Sequence, residues 1–380
     1  MALAVTTAHQ IHFTSSQTAT RTTTDGTDRI RNDQWHLRYL HLAKAHEVSQ
    51  GEGVTVAVPD TGVATHPDLR NNLLPGIDIL ANGSGDGRQD QDSHGTAMAG
   101  LIAAHGQADA KGALGIAPKA RILPIFSTPP QKDGEPDSLA KAIEFAITEG
   151  VDVISISSVG GSSPRLVRAV ETALSADIVV VAGAGNRPRE SQVGYPASHH
   201  GVIAVGGIDR RGAHAAVAVT GPEISVVAPA VDLYSTSYGN AYSKGTGTSG
   251  ATAIVAGAAA LVRAKYPYLP ADEVAHRLTA TAIDKGPPGR DDQYGYGVID
   301  LVAALTADVP PRGFESVPAT SPDAAGPTTA AADEPRADGG GAATVRGLVT
   351  LGLLVAGGVA WALVVRHRRR SDDPPPRVSR

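Results

Sequence analysis

Three short segments of the 380-residue chain place polar side chains in glycine-flanked turns. The first is Asp60-Thr61-Gly62, directly after an apolar β-branched run. The second is Asp92-Ser93-His94-Gly95-Thr96, opening a run of small residues. The third is Gly247-Thr248-Ser249-Gly250, opening another. Together they supply a carboxylate, an imidazole and a hydroxyl, which is what nucleophilic catalysis needs. A serine hydroxyl attacks poorly until a base takes its proton. A histidine does this near neutral pH, and a carboxylate fixes its tautomer and stabilises the imidazolium. The amides of a helix N-terminus beside Ser249 can also hydrogen-bond an oxyanion. Alone, each residue has a plainer reading. Ser249 reads as a helix cap, Asp60 as a turn residue before Gly62, and His94 is one of 13 histidines.

The elements that would position these groups are legible around them. β-branched apolar runs occur at 54–58, 122–126, 151–156, 178–181 and 202–205, and amphipathic helical patterns at 138–149 and 165–176. Strand–helix–strand alternation with continuous apolar strands predicts an α/β fold, a mainly parallel sheet covered by helices on both faces. In such a sheet, sites form at the carboxyl ends of the strands. The three polar segments follow or flank such ends. No internal repeat is present.

This body is expected over 33–305. Beyond it, 306–343 is rich in Pro, Ala, Thr, Asp and Gly, which bury too little apolar surface to offset ordering entropy, so a flexible linker is expected. The charge-free stretch 347–365 is 19 residues long, about 28 Å as a helix, which matches a bilayer core. A transmembrane helix is therefore predicted over 344–366. Arg366, Arg368, Arg369 and Arg370 at its C-terminal flank predict that residues 367–380 form a basic cytoplasmic tail and that the body lies outside the cytoplasm. Residues 1–32 form a Thr/Ser-rich extension without the basic start and apolar run of a signal peptide. The expectation is a disordered extension or a start codon placed too far downstream.

Composition excludes some chemistries. With no cysteine, the chain has no disulfide framework, thiol nucleophile or thiolate metal site. A net charge of −5, from 33 Lys plus Arg against 38 Asp plus Glu, lacks the basic excess of a nucleic-acid binder. No cofactor or metal is expected. Asp86, Asp90 and Asp92 fit no standard calcium-loop spacing, and they read as solvated charge.

Taken jointly, the segments resemble the subtilisin-like serine proteases, whose residues follow the order Asp, His, Ser. The matching stretches are Asp60-Thr-Gly with His66-Pro-Asp-Leu69, His94-Gly-Thr-Ala-Met-Ala-Gly100, and Gly247-Thr-Ser249, and Val227-Ala-Pro229 also fits. Val151 to Ser157 is similar to the family's substrate-binding strand, Val180 to Asn186 to the segment with its oxyanion asparagine, and Tyr195-Pro-Ala-Ser198 precedes a further matching strand. The resemblance implies a three-layer subtilisin-like fold. It implies that Ser249 is the nucleophile, His94 the general base and acid, Asp60 the orienting carboxylate and Asn186 the oxyanion donor. Ser157, Ser158, Val159 and Gly160 with Ala184 and Gly185 would bind substrate, pairing with it as an added strand.

The chain also departs from the family. Pro59 lacks the N–H of a strand residue. Gly250-Ala251-Thr252-Ala253 replaces a larger apolar residue, two alanines and a proline. One extra residue stands in Ser157-Ser158-Val159-Gly160. These changes bear on rate and specificity, not on reaction class.

A finer resemblance is to the mycosins, the membrane-anchored subtilisin-like proteases of type VII secretion. It rests on Asn32-Asp-Gln-Trp35, the stretches Leu37 to Ala45 and Gly51 to Val58, the linker, the span and the short basic end. It implies a single-pass cell-membrane endopeptidase with an extracytoplasmic catalytic domain, a polypeptide substrate and a type VII membrane complex as partner. Two other expectations compete: a mainly structural subunit of that complex, and a general surface-degrading protease.

Overall fold

The β-branched runs pair into one parallel sheet. The computed structural model describes residues 29–131 and 134–312. In chain order the elements are α1 (Ile30–Asp33), α2 (Trp35–Tyr39), α3 (Leu42–His46), β1 (Thr55–Asp60), β2 (Ile77–Asp78), α4 (His94–Ala103), β3 (Arg121–Phe126), α5 (Pro136–Thr148), β4 (Val153–Ile156), α6 (Pro164–Ser175), β5 (Val179–Gly183), β6 (Ile203–Ile208), β7 (Val226–Pro229), β8 (Leu233–Ser237), β9 (Ala241–Gly245), α7 (Thr248–Lys265), α8 (Ala271–Ala280) and α9 (Leu301–Thr306). The main sheet has the order β2-β3-β1-β4-β5-β6-β7, and β8 and β9 form a separate antiparallel hairpin. The predicted runs and helices fall on β1, β3 to β6, α5 and α6.

Side chains alternate across the sheet because successive Cβ atoms point to opposite faces. Val56 and Val58 of β1 join one apolar cluster with α4 and α7. Ala57, between them, joins the other with α5 and α6. Helix α7 is buried all round from Thr248 to Arg263. This is the pattern of a core helix, and its run of Gly and Ala makes it slim enough to lie inside. The result is three layers, helices on both faces of a parallel sheet, as expected from the strand pattern.

The chain enters the packed body earlier than residue 33. Ile30 is buried, and the Arg31 guanidinium donates to the carbonyls of Gly112 and Lys111. Trp35 donates its indole N–H to Val231 O at 2.9 Å. Among the described residues no helix is long and apolar enough to cross a membrane. The predicted span over 344–366, the basic tail, the linker from 313 onward and residues 1–28 of the extension lie outside the described residues.

Candidate active site

Strand β1 is the topological switch point. The chain leaves it for β2 and β3 on one side and then crosses to β4 on the other. A crevice opens at the carboxyl end of such a strand, and Asp60 is the last residue of β1. Pro59 lies past the last β1–β4 pair, Ala57 with Ile154. It stays in register with Ile125 of β3. The proline therefore stands where pairing to β4 has already ended.

Two glycines let the Asp60 turn and helix α4 close on one another. Gly62 has φ +84°, and a Cβ there would lie 1.9 Å from the Gln89 carbonyl oxygen. A Cβ on Gly95 would lie 2.1 Å from the Gly62 carbonyl oxygen. No other residue type fits these approaches. His94, the first residue of α4, thereby reaches Asp60. Its Nδ1 lies 2.8 and 2.9 Å from the two carboxylate oxygens, and Thr61 N–H donates to Asp60 Oδ1 at 2.7 Å. Both groups are buried. Burial works against the His94 imidazolium, but the Asp60 charge and hydrogen bond, with Asp92 and Asp90, outweigh it and raise the His94 pKa above its ordinary value. With Nδ1 facing the carboxylate, Nε2 is the basic nitrogen of the neutral ring.

Ser249 is the second residue of α7. It shares one cleft with His94, Met98 and Leu233. Its hydroxyl donates to Ser157 O at 3.3 Å, and Ser157 Oγ donates back to Ser249 O at 3.4 Å. Ser157, just after β4, thus abuts the serine directly. Gly250 accommodates a neighbour: a Cβ there would lie 2.5 Å from Leu233 Cδ1. Leu233 occupies the space that a larger residue after the serine would fill.

Asn186 follows β5, and its Oδ1 accepts the Thr248 N–H at 2.8 Å. Its backbone N–H donates to Glu190 Oε2 at 2.7 Å. Fixing Oδ1 orients the amide so that Nδ2 is the donor end, beside the first turn of α7. Ala184 and Gly185 lie just before it, and Thr248 Oγ1 donates to Gly185 O. Of the remaining residues, Val159 packs on Gly194, where a Cβ would lie 2.2 Å from Val159 Cγ1. Gly160 exchanges both backbone hydrogen bonds with Tyr195. Any pairing to an added strand therefore falls on the residues before Gly160. Ser158 is buried.

One sequence expectation is corrected. Asp90 is not solvated: it is 8% exposed, because the Asp60 turn, the loop before α4 and the first turn of α4 close around it and turn five donors inward. Thr61 Oγ1 and the amides of Asp92 and Ser93 donate to its Oδ1. The amide and hydroxyl of Thr96 donate to its Oδ2. The only signal in the sequence was an aspartate four residues before His94. Among the described residues, no group of three or more His, Asp or Glu side chains is placed to hold a metal ion.

A cleft at the carboxyl end of a central strand of a parallel sheet, with a histidine–carboxylate pair and a serine at a helix start, defines an α/β enzyme of the serine-hydrolase class. Comparison with known proteins gives the particular family: residues 51–297 match the subtilase family model, and the chain belongs to that family. Relatives include a thermostable alkaline protease of Halalkalibacterium halodurans, 38% identical over 70% of this chain and 71% of the relative. Subtilisin DY of Bacillus licheniformis is 38% identical over 70% of this chain and 97% of its own length. Among solved structures, MycP1 without its N-terminal propeptide is 32% identical over 73% of this chain and 98% of that chain, with a TM-score of 0.65. MycP3 of the type VII (ESX-3) system is 33% identical over 77% and 93%, with a TM-score of 0.67. The chain is a subtilisin-like serine protease with mycosin homologues.

Proposed function

We propose that the chain is a membrane-anchored endopeptidase that hydrolyses peptide bonds through Asp60, His94 and Ser249 and processes proteins at a type VII secretion system. The observation that carries the catalytic part is the buried Asp60–His94 pair sharing a cleft with Ser249. In this reading His94 Nε2 takes the Ser249 proton as Oγ attacks the scissile carbonyl. The oxyanion is held by the Asn186 side-chain amide and the Ser249 backbone N–H. His94 then returns the proton to the leaving amine, and water repeats the cycle on the acyl-enzyme. Substrate lies extended along Ser157 to Val159, with Ala184 and Gly185 on the facing wall.

The secretion role is supported by the mycosin likeness and by the apolar stretch 347–365 followed by arginines. A related MycP1 structure, 33% identical with a TM-score of 0.65, is described as an essential component of the type VII (ESX-1) system. A second reading is that the chain mainly stabilises the complex. Two measurements on native membranes separate the readings. The first is hydrolysis of labelled casein by wild type and Ser249→Ala; the second is export of the system's substrates in the same strains. Loss of both in Ser249→Ala supports the processing reading. Lost hydrolysis with intact export supports the structural one. Retained hydrolysis contradicts the assignment of Ser249. Release of the chain by alkaline carbonate contradicts the anchor.

A further inference from the structure

The carboxylate of Asp90 sits behind the site and touches neither Ser249 nor the cleft. All of its partners are donors, and two of the directions are fixed by their surroundings. Thr61 Oγ1 accepts the Gly95 N–H at 3.0 Å, so its proton goes to Asp90 Oδ1. Thr96 Oγ1 accepts the Ala64 N–H at 2.9 Å, so its proton goes to Asp90 Oδ2. The five donors come from two places: Thr61 from the turn that carries Asp60, and residues 92, 93 and 96 from the start of the helix that carries His94. The intervening residue, Ser93, holds the left-handed conformation at φ 85°, which is strained for a residue with a Cβ. Its amide is tied to Asp90 at 2.9 Å, and its hydroxyl to Ser237 Oγ at 2.7 Å.

We infer that Asp90 is a positioning residue for catalysis: it clasps the Asp60 turn to the N-terminus of the His94 helix and so fixes the imidazole against its carboxylate. This rests on the reading of Asp60, His94 and Ser249 as the reacting set. The role requires an ionised carboxylate. An asparagine presents one acceptor and one donor, so its NH2 meets either the three donors at Oδ1 or the two at Oδ2. Neither orientation satisfies the network, and a buried donor without an acceptor destabilises its surroundings. The network is therefore specific for aspartate, although asparagine has the same shape.

The test uses the full-length protein in detergent and an alkyl fluorophosphonate, which needs no knowledge of the natural substrate. Ser249 Oγ forms the bond to phosphorus, fluoride leaves and the serine proton passes to His94. The maximal inactivation rate reports this chemistry, and the half-saturating concentration reports binding. Asp90→Asn is expected to lower the maximal rate by about tenfold or more, because small misplacements of catalytic groups are that costly, while half-saturation stays within about twofold. The groups facing His94 are Asp60, Asp92 and Asp90. Removing the charge of Asp90 should therefore also move the acid limb of the rate to lower pH. Thr61→Val cuts the arm from the Asp60 turn, together with the bond that Thr61 Oγ1 accepts from Gly95 N–H, and leaves the charge. It is expected to slow the maximal rate without moving the acid limb. Wild-type rates in a folded Asp90→Asn protein would overturn the inference. Where that variant does not fold, an unchanged rate in Thr61→Val overturns it. A Ser249→Ala protein that still reacts would instead refute the assignment beneath it.

Discussion

His36 sets an acid limit on the stability of this fold. Its side chain is inside the protein, at 0% exposure, and neither ring nitrogen has a hydrogen-bond partner. Burial alone disfavours the imidazolium and lowers the pKa from 6.5 to about 3. As the pH falls, the unfolded chain takes up the proton near 6.5, while the folded chain refuses it until about 3. Stability is therefore full above pH 6.5, declines below it and levels only beneath pH 3. Between pH 7 and pH 5 the loss is about 2 kcal/mol, from 1.36 kcal/mol per unit over the roughly 1.5 units below 6.5. His94 has the opposite sign. Its raised pKa stabilises the fold below 6.5, and that contribution is lost as the pH rises through the folded value. His46, His66 and His214, also lowered by burial, add to the acid loss but are common to a variant at residue 36. His36→Leu should therefore flatten the pH dependence by about 2 kcal/mol between pH 7 and 5. Urea unfolding of the full-length chain in mild detergent, followed through the buried Trp35 fluorescence at each pH, measures it. Parallel losses in wild type and variant would refute the reasoning.

Two further outcomes concern the chemistry. Asn186→Ala should lower kcat by about 10²–10³ with little change in KM, because its amide meets charge that develops only in the transition state; steady-state kinetics on a cleaved peptide checks this, and an unchanged kcat contradicts it. The acid limb of kcat/KM should have its midpoint above 6.5. His94 must be neutral to accept the serine proton, and the surrounding carboxylates raise its pKa. A midpoint at or below 6.5 contradicts that electrostatic picture.

The sheet was readable in the sequence because its strands are buried on both faces. Runs such as Val151 to Ile156 are then continuous in Val and Ile, and few other structures accommodate them. The hairpin of β8 and β9 was not readable: Leu233-Tyr-Ser-Thr-Ser237 and Ala241-Tyr-Ser-Lys-Gly245 carry mixed polar residues. They are held by contacts such as Ser235 Oγ to Ala97 O, more than a hundred residues away. The short helices α1 to α3, of 4, 5 and 5 residues, are too brief to show a helical period. Asp60, His94, Ser249 and Asn186 stood out because glycines at fixed spacings flank them. Asp90 did not, since an aspartate among aspartates and glycines looks solvated until a loop is seen to close over it. Leu233 filling the place beside Gly250 is likewise a tertiary event, with no local trace.

The central assignment is that Ser249 is the nucleophile activated by His94. Labelling the full-length protein with a fluorophosphonate, digesting it with trypsin and weighing the peptide 245–263 tests this most directly. A single adduct on Ser249, absent from both Ser249→Ala and His94→Ala, is the expected result. An adduct that persists in Ser249→Ala, or no adduct on the folded wild-type chain, would contradict it.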